Sequence, residues 1–159
     1  MLVLVEGNEG SGKTTLINQL MKKLPCVAVK YPKEFKNVYP MLQNFAASDN
    51  IYICDRSFVS DLVYRSLDHK VGQMSLSQIS NLCLNNIKII FCYNENAFEN
   101  AMARGEDNIT VKEVHKILDD RFYFVETMLK SFTNVKICNY NYKYENSVDE
   151  VLRFIESEE

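Results

Sequence analysis

The chain has 159 residues, 47% hydrophobic and 25% charged, with a formal net charge of −3 at pH 7. That length predicts one domain spanning 1–159 with a sizeable core, and the composition is that of an ordinary soluble globule. The acidic balance excludes a sequence-independent grip on a nucleic-acid polymer, which needs a basic face.

Residues 2–15 read LVLVEGNEGSGKTT. Leu2 to Val5 is an apolar run suited to a buried parallel strand. It leads into Gly7-Asn8-Glu9-Gly10-Ser11-Gly12-Lys13-Thr14, which fits the phosphate-cradle pattern G-x-x-x-x-G-K-[ST]. The glycines let the backbone curl until successive N–H groups point inward as an anion nest. Lys13 supplies a cation for β- and γ-phosphates, and the Thr14 hydroxyl is a ligand for Mg²⁺. The chain after Thr14 reads as helix, so the positive end of its dipole faces the same phosphates. Gly7 through Thr15 is thus the expected site of a nucleoside triphosphate. An acidic protein with such a cradle is expected to handle small nucleotides one at a time.

Further along, strand-like and helix-like segments alternate. Leu16, Leu20 and Leu24, with Ile17 and Met21, repeat at helical spacing until Pro25. Cys26–Tyr31 predicts a second strand, ended by Pro32, then a weak helix over Val38–Ala47 and a third strand over Ile51–Cys54. Phe58, Val59, Leu62, Val63 and Leu67 share a helix face. Ser75 and Gln78 form a capping box that opens a helix to about Leu84. Ile87–Tyr93 is apolar throughout and predicts a strand buried on both faces. Asn94–Ala103 reads as helix and Arg104–Asn108 as a polar break. Thr110 and Glu113 cap the longest helix, whose stripe is Val111, Val114, Leu118, Phe122, Val125 and Leu129. Val135–Cys138 is a fifth strand, and Ser147 with Glu150 caps a closing amphipathic helix. This alternation predicts a three-layer α/β/α fold with a five-stranded, mostly parallel sheet. Ligands of such sheets sit beyond the carboxyl ends of the strands. The informative residues should come directly after Val5, Tyr31, Cys54, Tyr93 and Cys138.

The five cysteines show no C-x-x-C spacing, and four lie in apolar strand-like runs, a reduced, cytoplasmic pattern. No apolar stretch is long enough to span a membrane, and Met1–Val5 is too short and lacks the basic flank of a leader. His69 and His115 have no partner at ligand spacing and read as surface or structural.

At the third strand end stands Asp55-Arg56-Ser57. A carboxylate here, beside a phosphate cradle, reaches the Mg²⁺ shell, and Arg56 offers a planar fork to a second phosphate. The competing reading is a structural Asp–Arg pair.

The stretch Glu6 to Thr15 resembles the thymidylate kinase pattern E-G-x-[DE]-G-x-G-K-[ST]-T. Asp55-Arg56-x-x-x-Ser60-x-x-x-Tyr64 resembles that family's D-R-[YHS]-x-x-S-x-x-A-Y. Tyr31-Pro32 is similar to the F-P pair of some members, and Arg104-Gly105-Glu106-Asp107 to the arginine-bearing lid, about 104–110 here. The resemblance implies a P-loop kinase moving the γ-phosphoryl of ATP, with Mg²⁺, to a deoxynucleoside monophosphate. It assigns Lys13 and Arg104 to the transferring group and Arg56 to the acceptor phosphate. Glu9 takes the place of the acidic residue at the sugar 3′-hydroxyl and the waters of the metal site. Tyr31 and Ser60 belong to the acceptor motifs, Asp61 and Tyr64 face base and sugar, and a homodimer is implied.

Three departures stand out. The segment from Tyr31 to Asp55 is short for the family. Its arginine after F-P is missing, which leaves Lys33 or Lys36 in that place or makes both solvated charges. The cradle carries no arginine, so the catalytic cation falls to Arg104. Asn8, Arg56-Ser57 and Ser60-Asp61 also resemble deoxynucleoside kinases, where the acceptor is a 5′-hydroxyl and Glu34 would take its proton. A non-catalytic ATP-binding module is the alternative from another class. Tyr140, Tyr142 and Tyr144 stand where an adenine would stack, or pack as ordinary tyrosines.

Overall fold

Five short apolar runs make one sheet in which all four pairings are parallel. The strands are β1 (Leu2–Glu6), β2 (Cys26–Lys30), β3 (Ile51–Asp55), β4 (Ile87–Cys92) and β5 (Lys136–Tyr140), in the order β2-β3-β1-β4-β5. The computed structural model describes residues 1–32, 37–105, 112–144 and 147–157. Every residue of β1 and β4 is buried between two helical layers, the charged Glu6 and Lys88 included.

Side chains alternate across the sheet. Leu2 and Leu4 face a core shared with α2 (Val38–Ala47), α3 (Phe58–Leu67), α4 (Leu76–Cys83) and α6 (Lys112–Phe132). Val3 and Val5 face the opposite core, covered by α1 (Lys13–Lys23) and α7 (Ser147–Glu156). A short helix, α5 (Ala97–Ala103), comes after β4. Because every strand runs the same way, the ends of β1, β3 and β4 gather at one edge, where the cradle leaves β1.

Local differences from expectation have local causes. The Ser75–Gln78 capping box forms as expected. The helix expected from Asn94 starts only at Ala97, because Asn94 Oδ1 accepts the Asn96 N–H (2.9 Å) and closes a turn. The Ser147 hydroxyl does not turn forward onto its helix but donates back to the carbonyls of Asn141 and Tyr144 (both 2.7 Å). On α6, Leu118, Phe122, Val125 and Leu129 are buried, while Thr110 and Val111 lie outside the described residues. All five cysteines are free thiols. No described helix is long and apolar enough to cross a membrane.

Candidate active site

Glycine is required where the cradle turns against α5 and into α1. Gly10 has φ 73°, and a Cβ there would sit 2.0 Å from the Ala97 carbonyl oxygen at the start of α5. Gly12 has φ 96°, and α1 begins at the very next residue. No side chain caps α1, so the N–H groups of its first turn stay open to an anion. In front of them lies a cavity of about 150 Å³, lined by Glu9, Gly10, Gly12, Lys13, Thr14, Asp55, Arg56 and Arg104. Three cations therefore face one small space.

Lys13 is 7% exposed, and its Nζ donates to the carbonyls of Gly7 (2.9 Å) and Asn8 (2.6 Å), with Ser11 Oγ at 3.5 Å. Burial first, and then the Arg56 charge, lower its pKa to about 8. Arg56 leaves β3 with φ 67°, a left-handed backbone for a non-glycine residue, and its N–H bonds the Val5 carbonyl (3.0 Å). Its guanidinium pairs with Glu9 Oε1, reaches Ser60 Oγ (3.3 Å) and lies over the Tyr64 ring, 5.1 Å from the centroid. Arg104, at the end of α5, is exposed and joins the lining. Thr15 is exposed and takes no part in the lining.

With the Glu9 carboxylate paired to Arg56, the lining oxygens that fit Mg²⁺ are the Thr14 hydroxyl and the Asp55 carboxylate. No group of three or more His, Cys, Asp or Glu that could hold a metal exists among the described residues. One hydroxyl and one carboxylate beside a phosphate cavity fit Mg²⁺, which prefers few protein oxygens, substrate phosphates and its own waters.

A fully buried carboxylate that the motif reading left without a role, Glu6, ties the end of β1 to the start of α3. Glu6 accepts from the hydroxyls of Ser57 and Ser60 (2.5 Å to Ser60). Burial raises its pKa, and those hydrogen bonds hold it back. Ser60 thus bridges Glu6 and Arg56 instead of facing open space. Asp61 turns to Arg65 Nε (2.5 Å) and the Gln73 N–H (2.6 Å), so its carboxylate is already engaged within the α3–α4 region. Tyr31 packs against the α2–α3 core with a buried hydroxyl that lacks a partner among the described residues. Burial raises its pKa, and the charges of Asp61 and Glu6 add to that. Lys33, Glu34, Lys36 and the lid residues beyond Gly105 lie outside the described residues.

Two further groups brace the cradle. Asn100 Nδ2 donates to the Gly10 carbonyl (3.3 Å) and to the Tyr142 hydroxyl (3.0 Å), and the Tyr142 ring lies 3.3 Å from where a Cβ on Gly12 would stand. Tyr142 therefore packs on the loop, Tyr140 is core, and Tyr144 is exposed. His115 is 4% exposed and contacts the loop together with Asp119. The signal for His115 was available: it falls on the buried stripe three residues before Leu118 and seven before Phe122.

No protein-family model and no curated protein sequence matches this chain. Solved structures do. YorR of Bacillus subtilis, in complex with phosphorylated GDP, superposes with a TM-score of 0.77 at 16% identity, covering 98% of this chain and 96% of that one. The deoxyadenosine kinase of M. mycoides with bound dCTP gives 0.65 at 14% identity, covering 96% and 97%. The same enzyme with bound dATP gives 0.61 at 16%, covering 99% and 100%. This chain has the α/β fold of P-loop kinases, with a five-stranded, all-parallel sheet.

Proposed function

We propose that this protein is an ATP- and Mg²⁺-dependent kinase that phosphorylates a deoxynucleoside monophosphate. The observation that carries the reading is the cavity where Lys13, Arg56 and Arg104 converge with Thr14 and Asp55 in front of an uncapped helix N-terminus. The nest and Lys13 hold the donor triphosphate. Arg56, arriving from a different strand, is placed to take a second phosphate as a planar fork. Arg104 neutralises charge on the transferring group. Bound Mg²⁺, held by Thr14 and Asp55, would offset the charge of the phosphate oxygens. Positioning and charge neutralisation are what phosphoryl transfer asks of a protein. Likeness of fold to a deoxyadenosine kinase supports phosphoryl transfer within the nucleoside and nucleotide class, without favouring a monophosphate over a nucleoside acceptor.

One observation favours a second reading, a deoxynucleoside kinase. Arg56 is already paired with Glu9. An acceptor phosphate must displace that carboxylate, whereas a neutral 5′-hydroxyl could use it as a proton acceptor. The test is ADP formation from MgATP across all common nucleosides and their 5′-monophosphates. Turnover of a monophosphate and not of its nucleoside is expected. Turnover of nucleosides alone overturns the primary reading, and ATP binding without any turnover overturns both.

A further inference from the structure

The cradle is gripped from α6 by residues that do not line the cavity. Asn8 is 2% exposed, and its amide is used on both sides. Nδ2 donates to the His115 carbonyl (2.8 Å) and to Asp119 Oδ1 (3.0 Å). Oδ1 accepts the Glu9 N–H (2.9 Å), with the Tyr64 hydroxyl at 3.5 Å. Both amide protons and both lone pairs are thereby occupied. The ring of His115 places Nε2 3.1 Å from the Glu9 carbonyl, which can only accept, so that nitrogen carries the proton. Nδ1 stands 3.7 Å from Asp119 Oδ2, and Phe98 of α5 packs edge-on against the ring. His115 and Asp119 are four residues apart on one helix, so both reach the loop from a single face.

None of Asn8, His115 and Asp119 lines the cavity. Together they fix the peptide on either side of Glu9, and hence the direction in which its side chain leaves the loop. That side chain is the partner of Arg56.

We infer that His115 and Asp119 are positioning residues, holding Asn8 and Glu9 so that the Glu9–Arg56 pair faces the acceptor. This rests on the reading of the cavity as a phosphoryl-transfer site. Removing the Asp119 carboxylate leaves an Asn8 N–H unpaired in a buried place. Rotating the amide to relieve it breaks the bond to the Glu9 N–H. Asp119→Asn keeps an oxygen that can accept from Asn8.

The experiment measures kcat and KM for ATP and for the acceptor in wild type, Asp119→Ala and Asp119→Asn. Asp119→Ala is expected to raise acceptor KM at least about fivefold and to lower kcat, with KM for ATP within about twofold. Asp119→Asn is expected to stay near wild type. Unchanged acceptor kinetics in Asp119→Ala, or equal damage in Asp119→Asn, overturns the inference. A turnover-free arm tracks amide hydrogen exchange of residues 5–12 without nucleotide, expected about tenfold faster in Asp119→Ala and restored in Asp119→Asn. His115→Leu, which keeps bulk against Phe98 but cannot donate to Glu9, should move both readouts the same way and serves if Asp119→Ala does not fold. Unchanged exchange in both variants defeats the grip itself. A wild type that turns over no acceptor, with the exchange difference intact, defeats the kinase reading alone.

Discussion

The Lys13 ammonium rests on two backbone carbonyls, which favour its charge, but burial and then the Arg56 charge cost it part of its affinity for the proton. Its pKa falls from 10.5 to about 8. The folded state therefore binds fewer protons than the unfolded chain between about pH 8 and 10.5, so this group makes folding more favourable as pH rises through that window. Phosphates act in the opposite sense, since their charge favours the ammonium. At pH 8.5, Lys13 is largely neutral in the free protein, and binding MgATP should take up most of a proton; at pH 6.5 it should take up none there. Calorimetric titration in buffers of different ionisation enthalpy reads the uptake. Lys13→Ala should lose both the uptake and turnover. Uptake that survives Lys13→Ala would assign it to another group.

At the scale of elements, the start of α3 is where strand, helix and cradle meet. Ser57 caps α3 by accepting the Val59 N–H, while Ser57 and Ser60 both donate to Glu6 at the end of β1. Ser60→Ala should leave one Glu6 oxygen unpaired and Arg56 without its Ser60 contact. A loss of about 1–3 kcal/mol in urea unfolding is expected, with a rise in acceptor KM. Loss of stability with unchanged KM would detach Ser60 from the site. A contrasting case lies at the other end of the sheet. Lys88 in β4 is 3% exposed and donates to the carbonyls of Phe154 (2.5 Å), Ile155 (2.9 Å) and Ser157 (2.6 Å), completing the C-terminus of α7. Lys88→Met should cost about 1–3 kcal/mol in the same assay while leaving all kinetic constants within about twofold.

The elements were legible because their signals are local. Apolar runs of four residues, Leu2–Val5 and Ile89–Cys92, mark β1 and β4, and Ser75 with Gln78 marks the start of α4. The cradle was legible for the same reason, since its residues are contiguous. The roles of Glu6, Asp61 and His115 were not, because each depends on a partner brought by a different segment. Asp61 in particular has partners that spacing alone does not show: Gln73, twelve residues on, supplies an N–H that engages it.

For the molecule as a whole, the parallel sheet sets the cavity at one end and a structural brace at the other. The cavity lies beyond the carboxyl ends of β1 and β3, whereas Lys88 braces α7 near the amino end of β4. A ligand that binds only the folded chain stabilises the whole cooperative unit. At a hundredfold excess over Kd the gain is about 2.7 kcal/mol. For a chain of 159 residues that corresponds to a Tm rise of about 5–10 °C. Thermal unfolding with and without MgATP in three proteins tests the separation. Wild type should show the full rise. Lys88→Met should start from a lower Tm and show the same rise, because the donor site is intact. Lys13→Ala should start below the wild-type Tm, since the buried Gly7 and Asn8 carbonyls lose their donor, and show little rise. A full rise in Lys13→Ala would mean that ATP binds elsewhere on the molecule, and a lost rise in Lys88→Met would mean that the two ends of the sheet are energetically coupled.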